Sequence, residues 1–302
     1  LFKKAVPSVG FLDLLAEVSP PADSSKPRPT ITHLIPSAPS GNLRIYALDV
    51  GQGDSLLVIS PQGKTVLIDA GPVEAGDEVV AALVNHGVRQ IDLLIATHLH
   101  DDHIGGMKKV FEKFPIGKFL GNLQESSSIT YENLLSEIQD NKTPYIKAVR
   151  GQSIEIEQYV KFDVYGPPDP PFSASDIEQR RDVQHANSIV LRLSCGSFAM
   201  LFTGDAEFET EDQLMDAGAN LQANVLKIGL HGLHRATSDR FLMSIAPQFA
   251  IISGGGNVAS GNSPQLTLDR LRSANIKIFR TDQKGEIEVF TDCKSYDVRY
   301  AR

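Results

Sequence analysis

The chain has 302 residues, 41% hydrophobic and 22% charged, enough to bury a large core without staples. A formal net charge of −8 and the lack of any dense Lys/Arg run exclude a broadly basic nucleic-acid surface, so nucleic acid stays open as a partner without being indicated by charge. No run of 18 apolar residues is present, and no transmembrane segment is expected in this chain.

The opening "LFKKAVPSVGFLDLLAEV" carries two lysines and a short apolar stretch broken by Asp13, which makes a poor signal peptide. "SPPADSSKPRPTITHLIPSAPS" follows with six of the 17 prolines and reads as a linker, with His33 a solvated side chain inside it. Residues 1–18 are thus an N-terminal segment, 19–41 a Pro-rich linker and 42–302 one folded domain. Regular structure begins with the strand "NLRIYALDV", and "SLLVIS-PQGK-TVLIDAG" reads as strand, turn, strand. "EAGDEVVAALVNHG" is helical, with apolar Val79, Val80, Leu83 and Val84 and a stop at Gly87. "IDLLIAT" is a buried strand, and "MKKVFEKF" a helix.

A second series follows: a helix at "SITYENLLSEIQDN", strand-like "QSIEIEQYVKFDVYG", and a long loop over "PPDPPFSASDIEQRRDVQHA". Next come strand, turn, strand at "SIVLRLS-CGSF-AMLFTGD", a short buried strand in "ANVLKIGLHG", a helix at "SPQLTLDRLRSAN" and closing strands in "IKIFRTDQKGEIEVFTD". "SLLVISPQG" and "SIVLRLSCG" share a serine, an apolar strand and a glycine. Each continues into a strand ending at an aspartate, Asp69 or Asp205, which suggests two related halves that each contribute a sheet. Cys195 and Cys293 lack CxxC spacing, which excludes a zinc ribbon. Two buried thiols are the expected reading, and a disulfide between them the alternative.

"ATHLHDDHIGG" holds three of the eight histidines within six positions. On extended chain leaving a strand, His98 and His100 point the same way and make half of a metal site. Asp102 and His103 then face a second metal, and Gly105 and Gly106 turn the backbone away. Asp205 ends "MLFTGD", where a carboxylate with two oxygens can bridge two cations. His231 ends "VLKIGLHG", and His185 stands at the entry to "ANSIVL".

"THLHDDH" resembles the HxHxDH motif of the metallo-β-lactamase superfamily, with "LIDAG", "FTGDAE" and "LKIGLHG" in that superfamily's order. "LDVGQGDSLLVISPQGKTVLIDAG" carries the "DVGQGD" signature of ComEC-type competence metallo-hydrolase domains and their free-standing relatives. The likeness runs from about Asn42 to Asp292. It implies an α/β (α+β) fold, a four-layer αββα sandwich of two half-domains, and makes 42–302 a hydrolase domain. Carried over, one metal takes His98, His100 and His185, and the other takes Asp102, His103 and His231. Asp205 bridges them, and Asp69 orients the site without binding metal. Leu230 stands where the family has a first histidine, and "GNVASGNSP" lacks the family's His-Pro.

The resemblance implies an enzyme with two divalent ions that ready a bridging hydroxide. Zinc suits the His and Asp donors, as do manganese and iron. Asp102 is essential to turnover, and His234 is a candidate proton donor to the leaving group. Arg180 and Arg181 are candidates to bind a phosphate. The expected reaction is phosphodiester hydrolysis, of a nucleic acid or an envelope phosphoester. The alternatives are acyl hydrolysis, as by a lactonase, thioesterase or β-lactamase, and a non-catalytic metal-binding scaffold. The Pro-rich tether and the resemblance point to an extracytoplasmic, periplasmic or secreted, location. Oligomeric state is not legible.

Overall fold

The computed structural model describes residues 41–122, 124–177, 182–254 and 264–302. The N-terminal segment, the Pro-rich stretch with His33, Arg180, Arg181 and all of "GNVASGNSP" but Pro264 lie outside the described residues. The first half runs β1 (Leu43–Ala47), β2 (Leu56–Ile59), β3 (Thr65–Ile68), α1 (Gly76–Asn85), β4 (Leu93–Ile95), α2 (Asp101–Ile104) and α3 (Met107–Lys113). It continues with β5 (Phe119–Gly121), α4 (Ile129–Asp140) and β6 (Tyr145–Lys147). The second runs β7 (Ser153–Glu157), β8 (Val160–Val164), α5 (Val183–Ala186), β9 (Leu191–Cys195), β10 (Phe198–Phe202), α6 (Phe208–Asp216) and β11 (Val225–Lys227). It continues with α7 (Asp239–Ile245), β12 (Phe249–Ile252), α8 (Gln265–Ser273) and β13 (Lys277–Arg280), and α9 (Thr281–Lys284), β14 (Ile287–Thr291) and β15 (Tyr296–Tyr300) close the chain.

The halves repeat one topology. β1, β2 and β3 pair antiparallel and β4, β5 and β6 follow in parallel; β8, β9 and β10 pair antiparallel and β11, β12 and β13 follow in parallel. The halves are not self-contained, because β14 and β15 return to the first sheet, where β14 pairs with β1.

Alternation along the strands explains the layers. Leu43, Ile45 and Ala47 of β1 and Val66 and Ile68 of β3 enter a core between the sheets, shared with Phe162, Leu193 and Met200 of the second sheet. The intervening Tyr46 and Leu67 face the opposite way, into a core with Val79 and Leu83 of α1 and Val110 of α3. Leu201 and Leu226 do the same toward Leu214, Phe241 and Leu271 of α6, α7 and α8. Both faces of each sheet are covered, which is why the strands read as continuous apolar runs. The four-layer αββα arrangement follows.

Some expectations are corrected. Cys195 and Cys293 are joined as a disulfide rather than standing as two thiols, because the end of β9 meets the β14–β15 turn at one end of the inter-sheet core. Asp102 and His103 lie on a helical turn, α2, a short element the sequence did not signal. Val84 of α1 is solvent-facing. The long loop before β9 contains the short helix α5, and α6, α7, β5, β6 and β12 were not foreseen.

Candidate metal centre

Parallel strands all deliver their C-terminal ends to one edge, where open α/β sheets bind ligands. Asp69 follows β3, His98 follows β4, Asp205 follows β10, His231 follows β11 and Ser253 follows β12. The 3-10 turn Gly229–Gly232 carries His231. His185 sits near the C-terminus of α5, whose N-terminus is capped by Asp182 through a bond from the Gln184 amide of 2.7 Å.

These elements bring together two groups of donors. His98, His100 and His185 form the first, each offering a nitrogen within 4.8 Å of the others. His185 Nε2 faces His100 Nδ1 at 3.0 Å. The second comprises Asp54, His103, Asp205 and His231. His103 Nε2 and His231 Nε2 are 3.4 Å apart, and Asp102 Oδ2 lies 3.4 Å from His231 Nε2. Asp205 stands between the groups. Its Oδ2 is 3.3 Å from His231, 3.5 Å from His103, 3.7 Å from His185 and 4.0 Å from His98, each measured to Nε2. His234 is exposed three residues beyond His231, and its ring makes none of the bonds that join the cluster.

Residues 48–175 match the family profile of the metallo-beta-lactamase superfamily. The chain carries a metallo-beta-lactamase superfamily domain. It is 31% identical over 259 residues to ComE operon protein 3 of Bacillus subtilis (strain 168), an alignment covering 80% of this chain and 32% of that protein. It is 28% identical over 257 residues to Competence protein ComA of Neisseria gonorrhoeae, covering 83% of this chain and 33% of that one. The chain therefore spans about a third of the length of these relatives. Among solved structures, the metallo-beta-lactamase fold protein YhfI from Bacillus subtilis superposes with a TM-score of 0.54 at 12% identity, covering 83% of this chain and all of that one. That likeness is of fold alone. Proteins of the metallo-beta-lactamase fold are generally metal-dependent hydrolases.

In this metallo-beta-lactamase domain four imidazoles are backed by carboxylates. Asp69 Oδ2 lies 2.8 Å from His103 Nδ1, Glu207 Oε1 lies 2.9 Å from His185 Nδ1, and Asp182 Oδ2 lies 3.2 Å from His100 Nε2. His231 Nδ1 donates to the Ser253 carbonyl at 3.1 Å, with Asp54 Oδ1 at 3.4 Å. Such outer partners fix the tautomer and ring angle, and so aim the inner nitrogen. Asp69 is itself held by the Thr97 amide at 2.8 Å and the Thr97 hydroxyl at 2.7 Å, in keeping with an orienting role. Asp54 and Glu207 were not picked out from sequence. The only local signals were the "DVGQGD" loop, noted for its likeness alone, and a second acidic residue in "GDAE".

Electrostatics separate the imidazoles. Burial, reinforced by the neighbouring His103 charge, drives His98 well below the usual histidine range, so it is a neutral donor. Burial also opposes charge on His103 and His231, but Asp205 and the adjoining carboxylates outweigh it. His103 is pushed up to about 10, and His231 well above its ordinary value. Asp205 is held well below the carboxylate range, burial being outweighed by those imidazoles.

The residues fit divalent ions. His98 Nε2 and Asp205 Oδ1 are buried and have no hydrogen-bond partner among the described residues, a costly state unless something else binds there. Imidazole and carboxylate donors at this spacing suit zinc and its first-row neighbours.

Proposed function

We propose that the chain is a binuclear metal-dependent hydrolase acting on phosphodiesters. The observation that carries this reading is Asp205, with Oδ2 within 4.0 Å of a ring nitrogen from both donor groups and an Oδ1 that has no hydrogen-bond partner among the described residues. His98, His100 and His185 would hold one ion and Asp102, His103 and His231 the other, with Asp205 shared.

Bound ions would lower the pKa of a water between them and stabilise charge developing on substrate oxygens. The chain's own part is orientation. Asp69, Asp182 and Glu207 keep the imidazole inner nitrogens pointed at the site. His234, exposed at the loop after His231, is assigned proton delivery to the leaving oxygen. The relatives named for competence favour a nucleic-acid diester within the phosphodiester class. The Cys195–Cys293 disulfide supports an oxidising, extracytoplasmic location.

The test is a substrate panel on the full chain loaded with zinc or manganese: an aryl phosphodiester, a single-stranded oligonucleotide, a lactone, a thioester and a β-lactam. Diester cleavage abolished by chelation and restored by metal is expected. Turnover of the acyl substrates alone would overturn the phosphodiester assignment. A metal-loaded chain inert to the whole panel would favour a binding scaffold.

A further inference from the structure

We propose that Asp54, clamped by Lys227, is the positioning residue for the second metal position, acting through His231. The assignment rests on the two-metal reading. The "DVGQGD" loop between β1 and β2 is wedged between the Asp102-bearing turn and the strand end of Ser253, whose carbonyl meets His231. On one side the Asp54 amide donates to the Asp102 carbonyl at 3.2 Å, and Gly53 packs so closely that a Cβ there would strike that same oxygen. On the other side the Ser253 hydroxyl donates to the Gly53 carbonyl at 2.9 Å. The Asp54 carbonyl accepts from the Gly71 amide at 2.7 Å, which fixes the loop to the strand end that carries Asp69.

The side chain of Asp54 points inward, to Lys227 Nζ at 2.5 Å and His231 Nδ1 at 3.4 Å. Lys227 is fully buried, and its ammonium also donates to the Ile228 carbonyl at 2.9 Å. A buried pair of this kind is weak evidence for stability, because apolar residues of similar volume often serve as well. Its placement gives it another use.

His231 has φ 50° and ψ 26°, and Leu230 before it has φ 49° and ψ 40°. Two successive non-glycine residues in the left-handed region are strained. The turn Gly229–Gly232 is not helical at His231, and behind the ring Nδ1 meets the Ser253 carbonyl at hydrogen-bond distance and Asp54 at ion-pair distance. Asp54 comes from the first half of the fold, whereas Lys227 and Ser253 come from the second. The second metal position therefore depends on this seam. In the first position, His100 and His185 are backed by their own carboxylates, Asp182 and Glu207.

The experiment titrates the metal-free full chain with Co2+, reading each ion by its electronic spectrum, and with Zn2+ by competition. Asp54→Leu/Lys227→Met replaces the pair with apolar groups of similar size. It should melt near the wild type and take the first ion unchanged, with the second bound roughly 10–100-fold more weakly. Asp54→Asn/Lys227→Met keeps an acceptor of the same shape without charge, and should fall between. Wild-type affinity for the second ion in whichever variant folds would overturn the assignment, as would a loss shared equally by both ions. If the wild-type chain takes only one ion, the two-metal reading falls and the assignment with it. Two ions in the wild type with unchanged variants remove the assignment alone.

Discussion

Replacing the disulfide with Cys195→Ala/Cys293→Ala should destabilise the fold without touching the metal centre. The two cysteines are 98 residues apart in the chain, and for a loop of that length the chain-entropy treatment gives about 4.7 kcal/mol of constraint on the unfolded state. Measured values are usually smaller, and the seam it closes is also held by the Ser197 amide donating to the Cys293 carbonyl at 2.9 Å. A loss of about 2–4 kcal/mol is expected, lowering Tm by roughly 5–15 °C. Cys195 pairs with Phe198 at the start of β10, whereas Asp205 follows the other end of that strand, so the bond lies far from the cations' place. Urea unfolding of oxidised, reduced and doubly substituted chain, with thiol titration and metal counting, checks this. Two free thiols in the native oxidised chain, or equal midpoints for all three forms, would refute the reasoning. Lost metal in a folded variant would refute the claim of independence.

Further outcomes follow from the same geometry. Asp205→Asn should fold, by circular dichroism, yet lose at least one ion by elemental analysis. It should also lose more turnover than the roughly 10–100-fold that outer-shell changes cost. Gly53→Ala should fall in Tm and bind the second ion more weakly, because Gly53 has φ 132° and a Cβ there meets the Asp102 carbonyl. Glu211 accepts from the Thr237 and Ser238 amides, but burial outweighs them and pushes it up from 4.5 to about 7. A carboxyl raised on folding adds stability that is full below pH 4.5 and is lost as pH rises through about 7. The stability of the wild type should therefore drop by about 3 kcal/mol between those limits relative to Glu211→Gln. Parallel pH–stability curves for the two would contradict the shift.

Which candidate donors share one edge of the fold was legible because the signals are local. A buried strand followed by His98 and His100 two apart fixes the direction of both rings, and Asp205 and His231 each terminate an apolar run. What escaped was set by distant contacts. Asp54 meets Lys227 and His231 across the whole of β2 to β11, and no spacing rule connects them. The disulfide needed the β14–β15 turn to be known at the β9 end. The return of β14 to pair with β1, Leu43 opposite Thr291, is likewise invisible in either strand alone. α6 was missed because only Thr210, Glu211 and Leu214 are buried, too polar a stripe to show periodicity.

The repeated topology clarifies why the two halves contribute differently. Asp69 and Asp205 follow corresponding strands, β3 and β10, at the same edge. Asp69 takes φ 58°, and both of its oxygens accept from Thr97 while Oδ2 also meets His103. A carboxylate so saturated orients an imidazole and has little left for a cation. The Asp205 backbone amide donates to the Ser188 hydroxyl at 3.2 Å, yet Asp205 Oδ1 has no partner among the described residues. The same strand-end position thus carries a spent carboxylate in one half and an available one in the other. Thr97 makes the difference, since it supplies two donors to Asp69 and crowds Gly204 just before Asp205, where a Cβ would come within 3.0 Å of its own. One threonine therefore both occupies the first aspartate and packs against the backbone just before the second.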